Sequence, residues 1–566
     1  MHFLKQGCLA LVFMLLPGCL MKPNTTTPSI LVLPQSLIQL QGLSVKVPNG
    51  NNWYKGIHNQ QRLDLSKKTP AGKYHTIIAF VETGYRPEKN ITSEELKSRI
   101  EDEFSQRYER FTPVSKTFRI LEVQGIPAVR VDFTVEDHEV KYAPGKTFIL
   151  TGTDLYFTHP HASGTNSGSL LIKIAFSQRY LQGEKPVELE QEMLPFLTGF
   201  ALTQISAAEQ KGAWVTRLDS QGQELWSQSF PGFINITSLQ KTDQGEYMAL
   251  ASSRKLFGWP AEGWQIVLTQ QGKLLKLQKF ASLDGGSKYA GFDNYGGTFL
   301  YGDWLPKPSN GLSYQLFVKY IESSGQQQWL KSYGGPTVER ADTGIVDGND
   351  LLLAASSWSY GDNGGCWLVK IDTRGTVKWT NVHDTPGMDH CRSLIRYDTD
   401  NYLMTIDSFI PGEMKQTRVM KLNNQGLDLW HSDIFNLSMG IVGADSKGLF
   451  FAGMYVPKDL SRGLFSSWAT KLVSFTSVGK QKWTVDLRHM MTKSLAVTED
   501  GGCLLGGQMY SQDTSGARKK EASVVNISAD GETSWRYIFP GKADDNTTAI
   551  LSLERAGFWL GEACLS

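Results

Sequence analysis

Trp214-Val215-Thr216-Arg217-Leu218-Asp219-Ser220-Gln221-Gly222, with Trp226 four residues after the glycine, is a phrase that returns along the chain: an alternating strand, a polar turn closed by Gly, then Trp. It recurs as Trp367-Leu-Val-Lys-Ile-Asp372-Thr-Arg-Gly375 with Trp379 and as Val419-Met-Lys-Leu-Asn423-Asn-Gln-Gly426 with Trp430. Gly325 with Trp329, Gly479 with Trp483 and Gly531 with Trp535 keep both landmarks, whereas Gly272 is followed by Lys276 in place of Trp. The seven glycines, 222, 272, 325, 375, 426, 479 and 531, lie 50, 53, 50, 51, 53 and 52 residues apart. A fixed period of this length signals an array of supersecondary units, each unable to bury its apolar face alone.

Each unit carries a second pair of strand-like runs joined by a turn. Examples are Ser393 to Tyr397 with Tyr402 to Ile406, and Ser494 to Val497 with Cys503 to Gly507 after Asp500-Gly501-Gly502. Asp-Gly turns flanked by alternating apolar residues mark hairpins, because Gly accepts the positive φ that the tight turn requires. Four strands in about 50 residues match one propeller blade. The periodic Trp is placed to cover the joint between neighbouring sheets, where burial of one aromatic is worth a few kcal/mol, about 2–3. The first copy begins with the Trp-bearing pair, while the chain ends with the other pair near Ile550 to Leu553 and Phe558 to Glu562. One blade is therefore expected to combine strands from both ends, which hides the edges an open ring exposes.

With these landmarks, residues 213 to 566 resemble the tryptophan-docked propellers of the quinoprotein type, which include a lipoprotein of the β-barrel assembly machinery. The resemblance implies a seven-bladed β-propeller over 208–566 and leaves function open, since propellers host unrelated activities.

No such period runs between residues 36 and 207. The order there is strand, strand, a helix from Ser93, a hairpin turning at Gln124-Gly125, a longer hairpin (Phe148 to Thr158 and Ser169 to Ser177), and a helix over Val187 to Leu194 that Pro195 would end. Thr92-Ser93-Glu94-Glu95 is a capping box. The expected fold is a smaller α+β domain with two helices on an antiparallel sheet. With Gln124-Gly125-Ile126-Pro127-Ala128-Val129-Arg130 at its centre, this order looks like PsbP-like small domains of bacterial lipoproteins, which implies a binding or assembly role and no shared catalytic set.

The first 18 residues combine Lys5 with an apolar stretch from Cys8 to Leu16, too short to span a membrane. Leu16-Pro17-Gly18-Cys19 resembles the lipobox of bacterial lipoproteins, which makes Cys19 the residue that carries lipid, palmitate included, and residues 19–35 a flexible tether. By the same resemblance, Leu20 and Met21 after the cysteine, with no Asp, direct the chain to the outer membrane. A formal charge of +1, from 57 basic and 56 acidic residues, gives no electrostatic reason to expect nucleic acid. Cys366, Cys391, Cys503 and Cys564 lack any CxxC spacing, which argues against zinc and leaves a disulfide open.

Few residues invite a chemical reading. Glu339, Asp342, Asp384, Asp389, Asp544 and Asp545 fall where loops enter the first strand of a unit. In a ring, Glu339, Asp342, Asp389 and Asp544 are the group expected to converge at one mouth and attract Ca2+ or a cationic ligand; the plainer reading is that they cap turns. His159-Pro160-His161 offers two imidazoles at a hairpin tip without a third ligand, and reads as a turn. Asp389-His390-Cys391 sits on a strand, where neighbours face opposite ways, so the three side chains cannot meet. Arg518, Lys519 and Lys520 read as a solvated loop within Ser511 to Glu521. The expectation is a non-catalytic envelope scaffold without cofactor that binds other envelope proteins and reaches the membrane through its anchor. The alternative is a quinone-cofactor protein or other enzyme using the propeller channel, with pyrroloquinoline quinone and Ca2+ as the probe.

Overall fold

A computed structural model describes residues 30–563, except 70–73, 89, 106–110, 139, 141–142, 161–167, 206–211, 242–244, 254–260, 284–287, 305–313, 362–363, 411–415, 446, 456–468, 513–517, 544–545 and 554–556. The chain divides into two compact units, one ending at Lys211 and one starting at Gly212, apart from Phe230–Phe233, which groups with the first. Among the described residues no helix is long and apolar enough to cross a membrane.

The first unit is built on an eight-stranded antiparallel sheet. Its order is Ile30–Val32, Trp53–His58, Arg62–Lys68, Thr76–Arg86, Ser169–Leu181, Phe148–Thr158, Ile126–Asp137 and Phe111–Val123. The two-residue alternation of the strands separates two cores. Ala128, Phe157, Ile172 and Ile174 face one way, onto α2 (Glu190–Thr198) with its buried Phe196 and Leu197, whereas Val129, Tyr156 and Leu171 face the other way, onto Leu96 and Ile100 of α1 (Ser93–Ser105). The capping box is present: Glu95 N–H donates to Thr92 Oγ1 at 3.2 Å and Thr92 N–H to Glu95 Oε2 at 2.9 Å. Pro195 does not end α2, which continues to Thr198. The backbone loses one N–H donor there, and burial of Phe196 and Leu197 just beyond it outweighs that loss.

The second unit is a run of seven four-stranded antiparallel sheets among the described residues, a propeller-type array. We number them from the sheet that joins Gly212–Leu218 and Glu224–Pro231 to Asn546–Leu553 and Gly557–Ala563. That first sheet pairs the two ends of the unit, with Val215 opposite Gly561 and Leu218 opposite Phe558. The first strands of the third to seventh sheets are Lys288–Phe292, Glu339–Asp347, Met388–Arg396, Ser438–Ala444 and Met490–Val497. Each packs against the next, and Met490–Val497 packs against Asn546–Leu553, so these strands form the inner row of the array.

The repeated phrase explains the joints. Its Asp, Asn, Thr or Ser accepts backbone N–H groups two and four residues on, as at Asp219 from Gln221 and Gln223, or four residues on, as at Thr476 from Lys480. The turn then closes on a Gly at positive φ. The Trp of one sheet lies flat on the turn of the next. A Cβ added at Gly272 would lie 2.7 Å from Trp226, at Gly479 2.5 Å from Trp430, and at Gly222 2.6 Å from Trp535. The indole N–H then reaches a carbonyl two residues before the glycine: Trp226 to Gln270 (3.3 Å), Trp329 to Thr373 (2.7 Å), Trp483 to Ala529 (2.8 Å) and Trp535 to Ser220 (3.0 Å). Glycine is thus required twice, by backbone conformation and by the ring stacked on it. Lys276 replaces Trp at the second joint, and nothing lies within 4 Å of a Cβ built at Gly325. We therefore expect Lys276→Trp to fill that space, to bond the Ser323 carbonyl and to stabilise the unit by about 1 kcal/mol, read as a raised thermal midpoint.

One segment departs from its reading as a loop: Cys503–Gln512 and Arg518–Ile527 are extended strands paired as far as Gln512 with Arg518. Cross-strand pairing lengthens the hairpin despite its polar composition.

Candidate functional site along the inner strands

An inner-strand bulge recurs with the sheets. The ladder between each first and second strand slips at Ala290, Asp342, Arg392, Met439–Gly440, Lys493 and Thr548, leaving these residues without a partner across the ladder. A bulge turns a side chain out of the regular alternation, and bulges concentrate next to functional sites. Burial alternates around it. Glu339 and Ala341 are buried while Arg340 is exposed and Asp342 partly so; Asp389 and Cys391 are buried while Arg392 is exposed and His390 partly so; Met490 and Thr492 are buried while Lys493 is exposed. Lys288, Arg340, Asp342, His390, Arg392 and Lys493 thus fall on the less buried phase of the inner row.

Polar contacts lace the joints behind this row. Lys288 Nζ donates to the carbonyls of Ala341 (2.8 Å) and Asp342 (3.2 Å), and Ala341 N–H donates to Asp303 Oδ1 at 2.9 Å. Asp342 Oδ2 accepts from Ser356 N–H at 2.9 Å and from the Ser356 hydroxyl, whose oxygen lies 3.2 Å from His390 Nδ1. Arg392 Nε donates to Asp407 Oδ2 at 2.8 Å, and Asp407 also accepts from Thr417 Oγ1 and Met439 N–H, both at 2.7 Å. Burial raises the pKa of Asp342 above the ordinary carboxylate range, and Ser356 and Lys288 oppose it. Burial, followed by the Arg392 charge, lowers that of His390. Partial desolvation by the surrounding protein lowers Lys288 and Lys493 as well, although both keep solvent access.

Of the four acids expected at a mouth, Glu339 and Asp389 follow the plainer reading and cap turns. Glu339 is fully buried, where its Oε1 accepts from Gly335 N–H at 3.2 Å and Ser357 Oγ at 3.3 Å. Asp389 is buried on the Thr385 turn, accepting from the Thr385 N–H and hydroxyl at 2.6 Å each. Both lie on strands and hold turns, because a buried carboxylate needs donors and the nearest are backbone amides. Asp342 is also on a strand, at the bulge; Asp544 lies outside the described residues. Among the described residues no three His, Cys, Asp or Glu side chains are grouped to hold a metal ion. Of the hairpin histidines, His159 is buried with Nε2 3.2 Å from the Thr203 carbonyl, and His161 lies outside the described residues.

Asp389, His390 and Cys391 alternate in facing, as strand geometry demands, but Cys391 is more than a small core residue. It forms a disulfide with Cys366, joining the fourth and fifth sheets across a Cα–Cα distance of 5.5 Å. Cys503 stays a buried thiol, its pKa pushed far up by burial and by Asp500. The basic row escaped the sequence reading, although Arg340, Arg392 and Lys493 recur at near-blade spacing. The first unit contributes a further feature, a cleft of about 710 Å³ lined by Ile91, Leu96, Gln124, Pro127, Thr158 and Leu202.

No family model matches this chain, and no curated protein matches it. Among solved structures, the periplasmic gluconolactonase PpgL of Pseudomonas aeruginosa aligns at a TM-score of 0.35 and 10% identity, over 62% of this chain and 99% of that one. YjhT aligns at 0.35 and 11%, over 55% and 98%, and the WD40 domain of SCAP from fission yeast at 0.32 and 9%, over 61% and 89%. Likenesses this distant carry nothing about substrate or partner.

Proposed function

We propose that this chain is an exported, lipid-anchored scaffold of the bacterial envelope, with the seven sheets as the blades of one closed propeller and the first unit as a PsbP-like domain. The observation that carries the non-catalytic reading is the order of groups at Asp342, Ser356 and His390. A serine nucleophile needs its proton taken by the imidazole. Here the Ser356 hydroxyl donates its hydrogen bond to Asp342 rather than to the imidazole, and Ser356 is fully buried. The Cys366–Cys391 bridge supports export, since such bonds persist in oxidising compartments.

In this reading Cys19 is the lipidated residue, the outer membrane is the destination, and envelope proteins are the partners, met by loops at the propeller faces. Cys19→Ala is expected to move the protein from the membrane to the soluble fraction and to abolish labelling by a palmitate analogue. A variant that stays wholly in membranes, from a parent that never takes up the label, removes the anchor from the proposal. Site-specific photocrosslinkers in the face loops are expected to trap the same envelope protein from several adjacent positions. Appearance of a bound chromophore after incubation with pyrroloquinoline quinone and Ca2+ would instead favour the quinone-enzyme alternative.

A further inference from the structure

We infer that the channel side of the inner strands binds a small ligand bearing two or more negative oxyanion charges, either phosphate or carboxylate. The inference rests on the propeller reading above and on donors that the protein leaves unused. Lys493 makes no hydrogen bond or ion pair among the described residues. Among the described residues Arg340 meets only Asp342, at 3.9 Å, beyond hydrogen-bonding reach. Arg392 commits Nε to Asp407, and neither of its terminal nitrogens bonds an acceptor among the described residues. These cations stand at the bulge, or two residues before it, on the fourth, fifth and seventh inner strands, so the repeat itself brings them to one channel.

The neighbouring carboxylates are turned to other work. Asp342 Oδ2 holds Ser356, Asp407 holds Thr417 and Met439 besides Arg392, and Asp303 holds the Ala341 amide. Guanidinium forks match planar or tetrahedral oxyanions, and an ammonium adds a point charge, so a compact dianion satisfies what the protein does not. His390 lies among these groups, facing Arg340, Arg392, Asp342 and Asp407 together with Ser356 and Trp358. Its protonation adds a positive charge to the same surface, so anion binding strengthens as pH falls below neutrality.

The test is calorimetric titration of the detergent-solubilised full chain with inorganic pyrophosphate and, separately, citrate at low salt. Saturable binding of at least one probe is expected, weakened about tenfold by Lys493→Gln and by Arg392→Gln. Binding tightens on mild acidification in the parent, and that gain disappears in His390→Gln. Binding of pyrophosphate alone identifies phosphate as the ligand chemistry, and binding of citrate alone identifies carboxylate. Arg392→Gln leaves Asp407 without its guanidinium, so Lys493→Gln, which breaks no hydrogen bond or ion pair among the described residues, is the decisive variant. Lack of saturable binding to either probe at millimolar concentration overturns the site. So does unchanged affinity in Lys493→Gln with an unchanged melting profile. Failure of the ring is read separately, as a truncated chain that keeps the parent's cooperative melting.

Discussion

Removal of residues 546–566 is expected to abolish cooperative unfolding of the repeat unit, the largest effect of any change considered. The deletion takes both C-terminal strands of the first sheet and leaves Gly212–Leu218 without the ladder that pairs Val215 with Gly561 and Leu218 with Phe558. It also strips the joint with the seventh sheet, where Ile550 packs beside Trp214, Leu218, Leu504, Val524 and Phe539. Trp214 and Leu218, both fully buried in the intact protein, become exposed beside an unpaired strand edge. Losing several core side chains at about 1.5–3 kcal/mol each exceeds the usual net stability of a domain. Urea unfolding followed by tryptophan fluorescence is expected to show a broad, early transition and aggregation. A truncated protein that unfolds in one transition at the parental midpoint defeats the shared sheet.

The second large effect belongs to the Cys366–Cys391 bridge. It closes a segment with a sequence separation of 25 and lies in the fully buried core shared by Leu352, Leu368, Met404 and Ile406. On the loop-entropy account, removing such a cross-link costs about 3 kcal/mol, because the unfolded chain regains freedom the bridge had denied it. Cys366→Ala combined with Cys391→Ala is expected to lower the urea midpoint and to steepen the slope, as the unfolded chain opens out. Alkylation of denatured, unreduced protein recovered from the envelope is expected to miss both residues and to label Cys503. If both are labelled without reductant, the bridge does not form in the cell, and export loses its chemical support.

How much of this was legible beforehand follows from the range of the forces involved. The seven-fold period, the Asx and Ser/Thr turns, the glycines and the docked tryptophans are local matters. A turn that needs positive φ admits Gly, and an indole that must lie on the next turn returns at each repeat, so a one-dimensional pattern carries them. The joining of both ends of the repeat unit in one sheet was legible for the same reason, since the phase of the repeat leaves half a unit at each end. The capping box, confined to Thr92–Glu95, was legible too.

What the sequence left open depends on distant neighbours. Phe111–Val123 shows no apolar alternation because it is the edge strand of its sheet, and its residues from Thr112 to Thr117 are all exposed. Pro195 was read as a helix end because the buried partners of Phe196 and Leu197 lie on strands far away in sequence. Between a mouth ligand and a turn cap, local sequence does not decide for Glu339 and Asp389, because burial comes from distant strands; each caps its own turn. Tertiary structure alone put Cys366 against Cys391, and it alone left Arg340, Arg392 and Lys493 exposed at or beside the bulges of the inner strands. Pairing and bulge register are settled between strands, where hydrogen-bond ladders and packing act across the repeat, and no single stretch of sequence contains both sides of that contact.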